Sequence, residues 1–269
     1  MRMSEAMDRL RAELRYEPTG KRVRAEGGGH LVVDTTRAVL VWEPRRITPT
    51  YAVPEEDLWG ALSPSTRAEP APDGILHPGI PFTAHSTPGE PLTLSAHGEI
   101  HDGGAFRPAD PDLAGYVIVD FDALQWFQED ERLRGHPRDP YHRVDAHASS
   151  RHVRIVHKGR TVADTTAATL VFETSLPTRY YIPRADITVP LTPSDLRTYC
   201  PYKGEASYFS FADGENLAWS YENPLPDGPP VRNLIAFYDD LMEVTVDGVR
   251  NEHVDNPIAR TLLDEFGVS

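Results

Sequence analysis

The chain carries one pattern twice. Residues 22–43, RVRAEGGGHLVVDTTRAVLVWE, align without gaps on residues 152–173, HVRIVHKGRTVADTTAATLVFE, with about half of the positions identical. Val23/Val153, Arg24/Arg154, Gly29/Gly159, the Asp-Thr-Thr runs at Asp34 and Asp164, Leu40/Leu170 and Glu43/Glu173 all coincide. Allowing one inserted residue in the first copy, Tyr51-Ala52-Val53-Pro54 falls on Tyr180-Tyr181-Ile182-Pro183 and Asp57 on Asp186. Further on, Gly89-Glu90 matches Gly204-Glu205, and Ala105-Phe106 matches Ala218-Trp219. Each copy spans roughly 110–125 residues, an ordinary domain size with enough chain to bury its own core. Two domains of one fold are therefore expected, and a fused pair of this kind is expected to be a monomer whose halves are related by a pseudo-twofold axis, as in a symmetric dimer joined into one chain.

Within each copy the apolar residues follow the short period of strands. Val153, Ile155 and His157 alternate with Arg154 and Val156, Lys158-Gly159 makes a tight reversal, and residues 161–164 return as the second arm of a hairpin. Residues 170–172, 180–182, 206–211, 234–237 and 242–246 read as further strands. Copy one repeats the order, with strands near residues 39–42, 92–95 and 116–121. The expected fold class is mainly β, with short antiparallel strands. Helical periodicity appears in two places: Met3, Met7, Leu10 and Leu14 form a stripe with Ser4 as N-cap, and residues 259–266 form a short C-terminal helix. Twenty-five prolines favour short strands and ordered loops, and residues 63–81 read as an exposed excursion. The expected domains are an N-terminal helix (1–19), a first β domain (20–135), a strap (136–148), a second β domain (149–250) and a tail with a short helix (251–269). The strap, HPRDPYHRVD at its core, is stiffened by two prolines, and Arg138, Tyr141 and Arg143 are its candidate hydrogen-bonding residues.

Charge narrows the function classes. Asp and Glu number 41 and Lys and Arg 27, a formal net charge of −14, which repels phosphate backbones and anionic lipid headgroups. No nucleic-acid or membrane partner is expected. The sequence lacks an apolar run of spanning length, and its N-terminal stretch is charged, so a cytoplasmic location is expected. One cysteine, Cys200, cannot form an intrachain disulfide or supply a Cys-rich zinc cage. No metal and no cofactor are expected. His97, Glu99 and His101 would share one side of a strand, but Asp102-Gly103-Gly104 behind them reads as a solvent-exposed hairpin tip rather than part of a metal site.

The run Cys200-Pro201-Tyr202-Lys203-Gly204, followed by Ala206, Tyr208, Ala218-Trp219-Ser220-Tyr221 and Ala236-Phe237-Tyr238, resembles the bacterial family catalogued as domain of unknown function 427. The strap and the restart Ser149-Ser150-Arg151-His152-Val153 are similar to its tandem form, and the resemblance covers roughly residues 20–250. It implies a β-tent in each half, two roughly orthogonal antiparallel sheets, and an unassigned activity. Related β-tent domains clamp their sheets with zinc held by Cys-x-x-Cys knuckles; with Cys200 alone, packed aromatics and aliphatics must do so here. Copy one departs from the family pattern, with Ala84-His85-Ser86-Thr87-Pro88-Gly89 opposite Tyr199-Cys200-Pro201-Tyr202-Lys203-Gly204.

Three readings of function follow. Aromatic walls with a few convergent polar groups make small-molecule pockets. Combined with the family resemblance, this selects Tyr202, Lys203, Tyr208 and Trp219 around the Lys203-Gly204 turn, with Cys200, Tyr181 and Glu173, as a candidate ligand site in the second domain. A second reading is an enzyme using Cys200, Tyr202 and Lys203, since an ammonium near a thiol populates the thiolate; a third is a protein-interaction scaffold. Outside a ligand contact, Lys203 reads as a solvated lysine on a turn. Asp34 and Asp164 read as Asx turns, and Asp57 and Asp186 as paired carboxylates without an assigned role.

Overall fold

The computed structural model describes residues 1–252 and 256–265. The chain divides into two units, residues 1–139 and 140–269. Helix α1 (Met3–Leu10) precedes eleven strands in the first unit. These are β1 (Arg15–Pro18), β2 (Val23–Gly27), β3 (His30–Thr35), β4 (Val39–Trp42), β5 (Thr50–Pro54), β6 (Ala61–Pro64), β7 (Gly89–Ala96), β8 (Glu99–Pro108), β9 (Tyr116–Val119), β10 (Gln125–Gln128) and β11 (Glu131–Arg132). They form a seven-stranded sheet in the order β1-β4-β5-β9-β8-β7-β6 and a four-stranded sheet in the order β11-β10-β2-β3.

The second unit repeats this plan strand for strand. It contains β12 (Val144–Ala148), β13 (Val153–His157), β14 (Arg160–Thr165), β15 (Thr169–Glu173), β16 (Arg179–Tyr181), β17 (Thr192–Cys200), β18 (Gly204–Phe211), β19 (Gly214–Ser220), β20 (Ala236–Phe237), β21 (Glu243–Val246) and β22 (Val249–Arg250), then α2 (Pro257–Glu265). Its sheets run β12-β15-β16, β17-β18-β19-β20 and β14-β13-β21-β22. A bridge between Ile182 and Ile235 links the first two, so the long sheet of the first unit reappears in the same order. Even the register shift after Ala25 in β2 recurs after Ile155 in β13. All paired strands are antiparallel, and the fold is mainly β in both halves, as expected.

Packing explains the strand signal. Val23, Ala25, Val32, Leu40, Trp42, Tyr51, Val53, Leu94, Val117 and Trp126 form one core in the first unit. Val39, Val41, Ala52, Phe106, Leu113 and Ile118 form a second, with Leu14 and Phe82 packed on it. Strand β4 is consequently buried at all four positions and loses the two-residue alternation. In the second unit a single core gathers Val153, Ile155, Leu170, Tyr181, Ile182, Phe237 and Val244 with their neighbours.

Several local expectations change. Helix α1 ends at Leu10 and begins after Arg2, whose N donates to Glu5 Oε2 at 3.1 Å, so Ser4 lies inside the helix, while Leu14 is outside it and packs on the core. Arg15–Pro18, inside the segment read as helix, pairs with β4 as an edge strand, and Val144–Ala148 pairs with β15 in the same way at the end of the strap. The tip of the β7–β8 hairpin is His97-Gly98, both with positive φ; Asp102-Gly103-Gly104 lies within β8 beside a register shift. Residues 63–81 are tied down: Leu76 is buried, Ile47 N donates to Leu76 O and Leu76 N donates to Arg45 O. The second helix spans Pro257–Glu265, and Phe266 lies outside the described residues.

The Asp-Thr-Thr repeats and the paired carboxylates turn out to be one device. Thr35 Oγ1 donates to Asp57 Oδ2 at 2.6 Å and accepts from Arg37 N at 3.0 Å. Thr165 Oγ1 donates to Asp186 Oδ2 at 2.5 Å and accepts from Ala167 N at 2.9 Å. The turn is made by threonine, not by the preceding aspartate, whose partners are Arg22 for Asp34 and His152 for Asp164. Each clamp ties the end of the hairpin to the short 3-10 turn that follows the second strand after it, Glu55–Asp57 after β5 or Arg184–Asp186 after β16.

Candidate functional site

Glu173 ends β15, and its carboxylate is almost fully enclosed. Lys203 approaches from the turn between β17 and β18 and places Nζ 2.5 Å from Glu173 Oε2. Its side chain is also buried, so Lys203 is not the solvated turn residue expected from the sequence. His142 Nε2 lies 3.0 Å from Glu173 Oε1, and its ring stacks on Tyr202 with centroids 4.4 Å apart. Tyr202 and Cys200 are half-buried and form the outer side of the cluster.

Aromatic residues close the inner side. Tyr181, 1% exposed, accepts a hydrogen bond on its hydroxyl from Trp219 Nε1 at 3.3 Å. Trp219 lies 4.7 Å from Tyr238 between ring centroids, and the Tyr238 and Tyr208 hydroxyls are 3.2 Å apart. Tyr208 also shares a hydrogen bond with Thr198 Oγ1 at 3.0 Å. Tyr181, Tyr208 and Trp219 are therefore core residues backing the cluster.

The electrostatics fix protonation states. Burial alone would push the Glu173 carboxyl up, but Lys203 and His142 bring it down to about 2. Burial works against the Lys203 ammonium as well, and Glu173, followed by Cys200 and Tyr181, overrides it and raises its pKa. Burial raises Tyr181 to about 12 and lifts Tyr221 well above a normal phenol. At neutral pH the group is thus an ammonium, a carboxylate and two neutral phenols.

The structure brings Glu173, Lys203, Cys200, Tyr202 and Tyr181 into one place, with Trp219 and then Tyr208 behind them. Of the strap residues, Arg143 is clipped beside Glu173: its N donates to Thr174 Oγ1 at 2.9 Å, and its O accepts from Thr174 N at 3.0 Å. Tyr141 is exposed and Arg138 half-buried. The residue missed from sequence is His142. Its signal was the edge strand: Val144 pairs with Glu173, which brings the residues just before Val144 to the end of β15.

The first unit places a different set around the equivalent carboxylate. Glu43 is buried, with His85 Nδ1 2.9 Å from Oε1 and Ser86 N donating to Oε2 at 2.7 Å. Arg46 Nε lies 3.7 Å from the same Oε1. The His85 ring is stacked on Phe106 at 3.7 Å and meets Phe82 edge-on, and its Nε2 has no hydrogen-bond partner among the described residues. The first unit thus holds its glutamate with an imidazole and a backbone N–H, the second with an imidazole and an ammonium. His97 stacks on His30, His101 Nε2 is 3.7 Å from Glu99, and no group of three or more metal-ligating side chains occurs among the described residues. Nor is any helix among them long and apolar enough to cross a membrane.

No curated protein matches the chain. The family described as Domain of unknown function (DUF427) matches residues 15–73 and 145–248, segments that open with the edge strands β1 and β12 and carry the Thr–Asp clamp and the buried glutamate of each half. The chain belongs to this family, with a matching segment in each of its two halves.

Proposed function

We propose that the second unit binds a small planar molecule bearing a carboxylate or carbonyl oxygen, at the face formed by Tyr202, His142 and Cys200. The supporting observation is the buried Lys203–Glu173 pair beneath the stacked His142 and Tyr202 rings. A buried ion pair contributes no more to stability than well-packed apolar residues would, so its presence favours a role in recognition. An ammonium has three donors, and one is committed to Glu173. The half-buried rings offer flat faces on which another ring can stack. Binding is favoured over acid–base catalysis because Lys203, Glu173, Tyr181 and Tyr221 are each held in one protonation state at neutral pH, far from the range in which a group exchanges protons efficiently.

Thermal stabilisation of the full chain by benzoate, nicotinate and indole-3-acetate tests this. At least one should raise Tm in proportion to its occupancy. Tyr202→Ala and His142→Ala, at half-buried positions, should fold and lose the shift. Stabilisation that survives both substitutions, or no stabilisation by any of the three, would remove the assignment.

A further inference from the structure

The duplication supplies an internal comparison at a second location. In the second unit, Arg179 on β16 forms ion pairs with Asp239 and, at 2.5 Å, with Asp240, both on the 3-10 turn Asp239–Leu241. The same guanidinium carbon lies 6.0 Å from the Trp219 ring centroid. Strand register fixes the equivalent positions in the first unit. Val41 pairs with Thr50 as Val171 pairs with Arg179, so Thr50 stands where the arginine would be. Ala105 pairs with Val119 as Ala218 pairs with Phe237, so the 3-10 turn Phe121–Ala123 corresponds to Asp239–Leu241 and Asp122 to Asp240.

The first unit has a cleft of about 370 Å³ at this place. Thr50, Asp120, Phe121 and Asp122 line it, with Asp102 and Arg46 also on its walls. Where the second unit seats a guanidinium against Asp239 and Asp240, the first has Phe121 and Asp122 on the equivalent turn and an opening whose walls also carry Asp120 and Asp102. Two arginines also line the cleft: Arg46 Nη2 donates to the Ala84 and Pro81 carbonyls at 2.8 and 3.2 Å and its Nε faces Glu43, while Arg67 acts on Asp102, so Asp120 and Asp122 are the carboxylates left to a ligand. Asp120 accepts from Asp122 N at 3.1 Å, and burial pushes its carboxyl up, a sign that its charge is poorly compensated. Phe121 adds an aromatic face, which favours a cation.

We propose that this cleft binds a small organic cation with a guanidinium or similarly planar charged head, occupying the place that Arg179 fills in the other half. The volume exceeds what a bare guanidinium needs and accommodates a short chain behind the head. The head group is held by charge-assisted hydrogen bonds to Asp120 and Asp122, and the tail lies toward Arg46 and Thr50.

Titration of the full-length protein with propylguanidinium, and with neutral propylurea of the same shape, tests the proposal by calorimetry or NMR. Saturable binding of propylguanidinium and at least about tenfold weaker binding of propylurea are expected, the difference that loss of a charge-assisted bond implies. Asp122→Asn should weaken propylguanidinium about tenfold. Thr50→Arg restores the missing side chain and should abolish binding with Tm unchanged or raised. If Thr50→Arg fails to fold, Asp120→Asn takes its place and should also weaken binding. Absence of saturable binding to the natural sequence, equal binding of the urea, or binding that survives Asp122→Asn together with either partner variant would overturn it.

Discussion

Replacing Lys203 by alanine leaves the Glu173 carboxylate buried with His142 as its remaining partner, which should cost about 3–5 kcal/mol, whereas a solvated lysine would cost almost nothing. Replacing both partners, Lys203→Met with Glu173→Gln, should restore most of that stability, because the desolvation of both charges disappears with them. Acid should act in the same direction. The Glu173 pKa is depressed in the folded state from an ordinary 4.5 to about 2, so its contribution is fully present above the unfolded value and is lost as pH falls from about 4.5 through about 2. Urea unfolding at stepped pH measures this. The natural chain should lose stability faster than the double variant across that window; parallel curves would mean that the pair carries no linkage.

At the scale of elements, the two Thr–Asp clamps are a matched experiment. Asp57 keeps a second partner, with Arg37 Nη2 2.8 Å from Oδ1, and Asp186 has no cationic partner among the described residues. Both Thr35→Val and Thr165→Val strip a carboxylate of its hydroxyl and a backbone N–H of its acceptor, at about 1–3 kcal/mol. Thr165→Val should be the more costly, since Asp186 is left with less compensation; equal losses in chemical denaturation would contradict this account. The glycines at Gly89 and Gly204 show how one repeated residue can serve two physical needs. Gly204 has φ +104°, a region that side chains disfavour, whereas at Gly89 an added Cβ would lie 2.3 Å from Phe106 Cζ. The signal in the sequence is the same, and only the backbone shows which constraint applies.

For the molecule as a whole, each unit has its own sheets and its own buried core, and every cluster of core residues lies within one unit. Residues 1–139 and 140–269 expressed separately should therefore each fold cooperatively. Circular dichroism and amide dispersion in NMR would show it. A fragment that remains unfolded on its own would mean that its stability depends on the rest of the chain.

The sequence by itself determined the duplication, the mainly β class and the hairpin at Lys158-Gly159, because these depend on local periodicity and on residues that tolerate positive φ. It also marked Glu173, Lys203, Tyr202 and Cys200 as belonging together, through a run whose members are close in the chain or aligned in the repeat. Tertiary structure alone decided their environment. Burial of Lys203 follows from β15 ending opposite the β17–β18 turn, and the part played by His142 follows from an edge strand of weak local pattern. The identity of a side chain states which charges it can carry, but its exposure and its partners depend on which distant strand ends the fold brings together. For the same reason, aligned sequences set Thr50 opposite Arg179, but only the tertiary structure shows an open cleft beside Thr50 and an arginine engaged by two aspartates in the other half.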